Sequence, residues 1–225
     1  MSKATITSSL VSVQWLAENL GAENLVVLDA SMKPVTPVQS SDPQEEPAYI
    51  KGARRFDFDQ HICDHNTTLP HMMPSPEFFT QEMQKLGINK DSSIVVYDDV
   101  GVYSSPRAWW MFRTMGHEQV AVLDGGLPAW KKEKLLCGSQ VELSAEKRGD
   151  FESQPLSGLF VDSMHVLDAT ADPRFAILDA RSEGRFHGVE PEPRAGLRSG
   201  HIPNSLNLPF AQVVVDGLVL PPTEL

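Results

Sequence analysis

One pattern of residues, met twice at a nearly fixed spacing, limits what this chain can fold into more than any other feature. Val27-Leu28-Asp29-Ala30-Ser31 returns as Ile177-Leu178-Asp179-Ala180-Arg181, 150 positions later. Ser12 and Asp162 hold the same spacing upstream, and both residue types cap helix N-termini well. Downstream, Tyr49-Ile50-Lys51-Gly52-Ala53 is answered by His201-Ile202-Pro203-Asn204-Ser205 at a spacing of 152. Three matches in order predict tandem copies of one domain. Each copy reads as a helix, a strand ending in Asp, a long loop, and a turn into a second strand.

The first copy runs on. Ser75-Pro76 opens a helix carrying Phe79, Met83 and Leu86 that stops at Gly87. Ser93–Tyr97 is an apolar run of strand length. Ser105-Pro106 opens a further helix with Trp109, Phe112 and Met115 on it, ended by Gly116, and Val120–Leu123 reads as another strand. Short apolar strands alternating with helices predict an α/β fold with a mainly parallel central sheet in each domain. At the repeat spacing, the counterpart of Ser93–Tyr97 falls at about residue 245, so the second copy is expected to be incomplete. The expected division is a first domain over 1–138, a polar linker over 139–158, and a second domain over 159–225.

Charge and cysteine usage narrow the function classes. The 19 basic and 30 acidic residues leave a net charge of −11, which repels a phosphate backbone and argues against nucleic acid as a partner. No stretch approaches the roughly 18 apolar residues that span a membrane. The N-terminus lacks an apolar targeting core. Two widely separated cysteines, Cys63 and Cys137, form no disulfide framework. The expectation is a cytoplasmic protein.

Three long segments carry a resemblance. They are Tyr103-Ser104-Ser105-Pro106-Arg107-Ala108-Trp109-Trp110, Asp124-Gly125-Gly126-Leu127-Pro128-Ala129-Trp130, and Gly184-Arg185-Phe186-His187-Gly188-Val189-Glu190-Pro191-Glu192-Pro193-Arg194, the last continuing into Ser199-Gly200-His201-Ile202-Pro203. Together they resemble the tandem-domain rhodanese family, and within it the 3-mercaptopyruvate sulfurtransferases. The resemblance implies two rhodanese-like domains, the first catalytically silent. It implies a cysteine in the second, after a central strand and at a helix N-terminus, where backbone N–H groups lower the thiol pKa. That thiolate would take sulfur from 3-mercaptopyruvate or thiosulfate as a persulfide and pass it to cyanide or to a thiol such as thioredoxin or glutathione. In the first domain the equivalent slot holds Asp98, which cannot accept sulfur. In the second it falls beyond Leu225, so the 225 residues as they stand are expected to turn over negligibly. The different-class alternative is a non-catalytic protein that binds anions or partners.

By the same resemblance, Arg185 and Arg194 bind the donor. Two guanidinium groups suit a carboxylate beside a carbonyl. The other reading makes them loop arginines paired with Glu183, Glu190 or Glu192, and spacing alone does not separate the two. Asp59 and His71 are implied as an accessory relay; the alternative is two ordinary polar loop residues. His61-x-Cys63-x-His65 invites a metal, but alternate loop residues rarely converge on a four-ligand site, so no metal and no cofactor are expected. Neither Cys63 nor Cys137 follows an apolar strand and opens a helix, the context that activates a thiol.

Overall fold

The computed structural model describes residues 2–33, 47–194 and 196–224. They divide into two compact units, the first reaching Ser157 and including 216–218, the second beginning at Gly158.

In chain order the first unit contains β1 (Leu10–Val11), α1 (Val13–Asn19), β2 (Leu25–Asp29), β3 (Tyr49–Ile50), β4 (Arg54–Arg55), α2 (Pro76–Lys85), β5 (Ser93–Tyr97), α3 (Ser105–Thr114), β6 (Val120–Leu123), α4 (Gly126–Lys132) and β7 (Cys137–Gly138). A five-stranded parallel sheet runs β1-β6-β5-β2-β4. β5 is buried at all five positions, as β-branched and apolar residues in the middle of a parallel sheet covered on both faces must be. β3 and β7 form a separate antiparallel pair.

The helix ends follow from local chemistry. Ser12 accepts from Trp15 N and Ser75 from Phe78 N, with Pro76 at the start of α2 and Gly87 left-handed beyond its end. α3 departs from expectation by one residue. Its cap position is Ser104, and the Ser105 hydroxyl turns instead to Asp98.

Residues 139–157, which carry no apolar period, lie along the first unit. Phe151 is buried edge-on against Phe79 and Phe112. Backbone N–H groups of Gly149, Phe151, Gln154 and Leu156 donate to Gln84, Ile88, Met115 and Thr114 carbonyls. Within the stretch expected as a linker, 149–156 is thus held against the first unit by this ring and these backbone bonds.

The second unit contains α5 (Ser163–Ala169), β8 (Leu178–Asp179), α6 (Glu183–Phe186), β9 (Leu206–Asn207) and a short 3-10 turn (Phe210–Gln212), and the chain ends with paired β10 (Val214–Val215) and β11 (Leu218–Val219). The repeat is literal. β8 pairs in parallel with β9 as Leu178↔Leu206 and Asp179↔Asn207, and β2 pairs with β4 as Leu28↔Arg54 and Asp29↔Arg55. Asp162 caps α5 through His165 N as Ser12 caps α1. Among the described residues of this unit, Phe186 is the only buried large apolar side chain.

Candidate functional site

β5 ends at Tyr97, and the next residue, Asp98, is wholly buried at the mouth of a loop that leads into α3. Its carboxylate gathers that loop. Oδ1 accepts from Val100 N (3.1 Å) and Gly101 N (2.9 Å). Oδ2 accepts from Tyr103 N, Ser104 N and Ser105 N, each at 2.9 Å, and from the Ser105 hydroxyl at 2.6 Å. Successive N–H groups turned inward make an anion cradle, here with a helix N-terminus behind it. The side chain of Asp98 itself fills the cradle. Its carbonyl accepts from Leu127 N at 2.9 Å, and a side chain at left-handed Gly126 would run into the Asp98 and Gly101 carbonyl oxygens.

α3 connects this loop to the second feature. Arg107, in its first turn, donates from Nη2 to the His71 carbonyl at 2.6 Å. That bond holds a histidine whose φ of 58° lies in the left-handed region. The His71 ring donates from Nε2 to Asp59 Oδ1 at 2.5 Å and meets the Phe58 ring edge-on. Asp59 is placed by a turn in which Asp57 Oδ1 accepts from Asp59 N and Gln60 N. Asp59 and His71, 12 positions apart, therefore form an oriented carboxylate–imidazole pair, partly open to solvent. Arg107 carries no signal in the sequence beyond its place in the Tyr103–Trp110 segment.

The neighbouring loop residues each face a protein acceptor. His61 Nε2 meets Glu82 at 2.8 Å, His65 Nε2 meets the His61 carbonyl, and the Cys63 thiol points to the Asp59 carbonyl. Burial pushes the Cys63 thiol up, and Asp57, Asp59 and Asp64 push it further. The half-buried Cys137 is expected to alkylate first with iodoacetamide near neutral pH, and Cys63 at least about tenfold more slowly. Faster labelling at Cys63, read by peptide mass, would contradict this environment.

In the second unit, Asp179 ends β8 as Asp29 ends β2. Asp29 is met by Arg55 Nη1 at 3.3 Å, and Asp179 accepts from Arg181 Nε and Nη2. Arg181 Nη1 continues to Glu192 Oε1 at 2.7 Å, and its Nη2 reaches the Gly200 carbonyl. Glu192 turns its other oxygen to Arg185 Nη2 at 2.6 Å. The two arginines hold the Glu192 carboxyl below its ordinary range, Arg185 contributing most. Of Glu183, Glu190 and Glu192, Arg185 meets only Glu192. Glu190 accepts from the Ser182 hydroxyl, and Glu183 lies 4.0 Å from His187. Arg194 is exposed, and its guanidinium makes no hydrogen bond or ion pair with a described residue. No helix among the described residues is long and apolar enough to cross a membrane.

Known proteins resemble this chain in sequence and in fold. The rhodanese-like domain family matches residues 12–133. The 3-mercaptopyruvate sulfurtransferase of Escherichia coli K12 is 39% identical over 213 residues, which are 94% of this chain and 74% of that protein. The human 3-mercaptopyruvate sulfurtransferase is 37% identical over 233 residues, covering 100% of this chain and 77% of that protein. The crystal structure of SseA from Escherichia coli, described as a 3-mercaptopyruvate sulfotransferase, superposes with a TM-score of 0.80 at 34% identity, over 97% of this chain and 81% of that one. With a repeated helix–strand–loop pattern, a parallel sheet and a cradle loop between β5 and α3, the chain belongs to the rhodanese family.

Proposed function

We propose that this chain serves sulfur transfer, with 3-mercaptopyruvate as the donor and thiosulfate as a weaker one. The acceptors are cyanide or a thiol such as thioredoxin or glutathione, and the setting is the reducing cytoplasm. The observation that carries the reading is the likeness to 3-mercaptopyruvate sulfurtransferases over nearly the whole chain. The family likeness also implies two guanidinium groups, at Arg185 and Arg194, of a type that suits a carboxylate beside a carbonyl.

In this reading a cysteine thiolate attacks the donor sulfur, the carbon–sulfur bond breaks, and pyruvate leaves as an enolate that then takes a proton. Cationic groups near the developing enolate oxygen lower the barrier. Asp59 fixes the His71 ring through Nε2, leaving Nδ1 to move a proton. Asp98 is the silent counterpart of the nucleophile. A second reading, an anion- or partner-binding protein without turnover, is favoured by the placement of Cys63 and Cys137, neither of which lies at a helix N-terminus.

Titration calorimetry with both donors tests the assignment. A charge-assisted hydrogen bond contributes roughly 1.5–3 kcal/mol. Arg194→Ala is therefore expected to weaken 3-mercaptopyruvate by about one to two orders of magnitude and thiosulfate much less. Equal losses for both donors would remove Arg194 from the site. Pyruvate release that Cys63→Ser or Cys137→Ser abolishes would move the nucleophile to that thiol.

A further inference from the structure

Arg185 is held on one side only. Glu192 spans the edge formed by Nε (3.4 Å) and Nη2 (2.6 Å). A guanidinium has a second bidentate edge, between its two terminal nitrogens. Nη1 of Arg185 has no hydrogen-bond partner among the described residues. Glu192 is itself fixed, because its side chain is only 5% exposed and its Oε1 accepts from Arg181 Nη1 at 2.7 Å. Arg181 is anchored in turn. Its Nε and Nη2 clamp Asp179 at the end of β8, and Nη2 also donates to the Gly200 carbonyl. The result is a run of alternating charge, Asp179–Arg181–Glu192–Arg185, starting at a sheet strand and ending at an unoccupied guanidinium edge.

We propose that Glu192 is the positioning residue of the donor site: it locks Arg185 by one edge so that the terminal edge is presented to the carboxylate of a 2-oxo acid. This rests on the donor-binding reading of Arg185 given above. A free arginine side chain loses rotamer entropy when it binds an anion, and a guanidinium already fixed by a carboxylate loses less. Glu192 thereby raises affinity without touching the ligand. A competing role, in which Glu192 occupies the anion's place, fits the contacts less well, because Glu192 lies on the edge away from Nη1. Two neighbours keep the carboxylate in place. Pro191 and Pro193 flank Glu192 and fix the backbone on both sides. Gly184 lacks the side chain that would collide with Glu190, so that loop packs closely on α6.

Pyruvate, a 2-oxo acid with no transferable sulfur, is the probe, added to the whole 225-residue chain labelled with nitrogen-15. In the wild type, saturable binding is expected to shift the Arg185 Nε–Hε signal. Arg185→Ala should abolish that binding. Glu192→Gln is expected to move the Arg185 signal to that of a solvated arginine and to weaken pyruvate at least tenfold, with the signals of the stacked Phe186 and His201 rings unchanged. Glu192→Asp, which keeps the charge but draws it back, should recover part of the affinity. Unchanged binding in Glu192→Gln would make Glu192 a spectator, and tighter binding would make it a competitor; either overturns the proposal. If Glu192→Gln does not fold, Glu192→Asp decides, since affinity equal to wild type also overturns it. Absent wild-type binding, or binding that survives Arg185→Ala, removes the donor-site reading and this inference together. Failure of the inference alone is distinguishable, because pyruvate then still binds the wild type and Arg185→Ala still abolishes that binding.

Discussion

Asp98→Ala is expected to lower the stability of the first unit by about 3–5 kcal/mol, since each buried donor left unsatisfied costs roughly 1–3 kcal/mol and the loop relaxes to recover part of that. The alanine would leave five backbone N–H groups and one hydroxyl, all now satisfied by a single carboxylate, turned toward an empty space. Against a total stability of roughly 5–15 kcal/mol, that is a large fraction. A melting point lower by about 6–20 °C should follow for a domain of this size. Asp98→Asn should cost less. Its one carbonyl oxygen can keep the four donors that now meet Oδ2, while the amide group faces Val100 N and Gly101 N. The damage should also travel. The loop sets the start of α3, α3 carries Arg107, and Arg107 holds the His71 carbonyl, so the Asp59–His71 pair should loosen. Chemical denaturation of both variants checks the ranking. Asp98→Ala within about 1 kcal/mol of wild type would show that the loop holds its shape without the carboxylate.

Why Asp98 was legible as a slot but not as the organiser of its loop comes down to which signals are local. β5 and β6 stand out because buried parallel strands need uninterrupted apolar runs, and Ser93–Tyr97 and Val120–Leu123 supply them. β8 and β9 are too short and polar to be found by pattern. Only their spacing from β2 and β4 revealed them, and their register keeps that spacing. Contacts between distant residues left no such trace. Arg107 meets a carbonyl 36 positions away. Phe151, alone in a polar stretch, is read as linker until Phe79 and Phe112 are seen around it. Glu192 looked like one of three equivalent acids near Arg185. Its two flanking prolines, and the Arg181 that replaces Ser31 of the first copy, are the features that single it out.

Hydrogen exchange should separate the two units by orders of magnitude. In the first, β2, β5 and β6 are buried among residues such as Leu28, Val95, Tyr97, Ala121 and Leu123, and their amides close a continuous parallel ladder. Such amides exchange only through global opening, so protection factors of about 10⁴ or more are expected. In the second unit the ladder is two residues wide on each strand, and no residue of α5 is buried. Met164, Leu167, Phe175, Leu178 and Leu206 are all exposed, so little apolar burial resists local opening. Protection there should stay below about 10² for β8, β9 and α5. An exposed apolar strand edge can also pair with another chain, so the measurement belongs at low protein concentration, with a second run at high concentration. Protection in β8 and β9 that rises with concentration would locate the pairing edge. Equal protection in both units at the low concentration would mean that the second unit is stabilised by more than the burial of Phe186, and would sink this prediction.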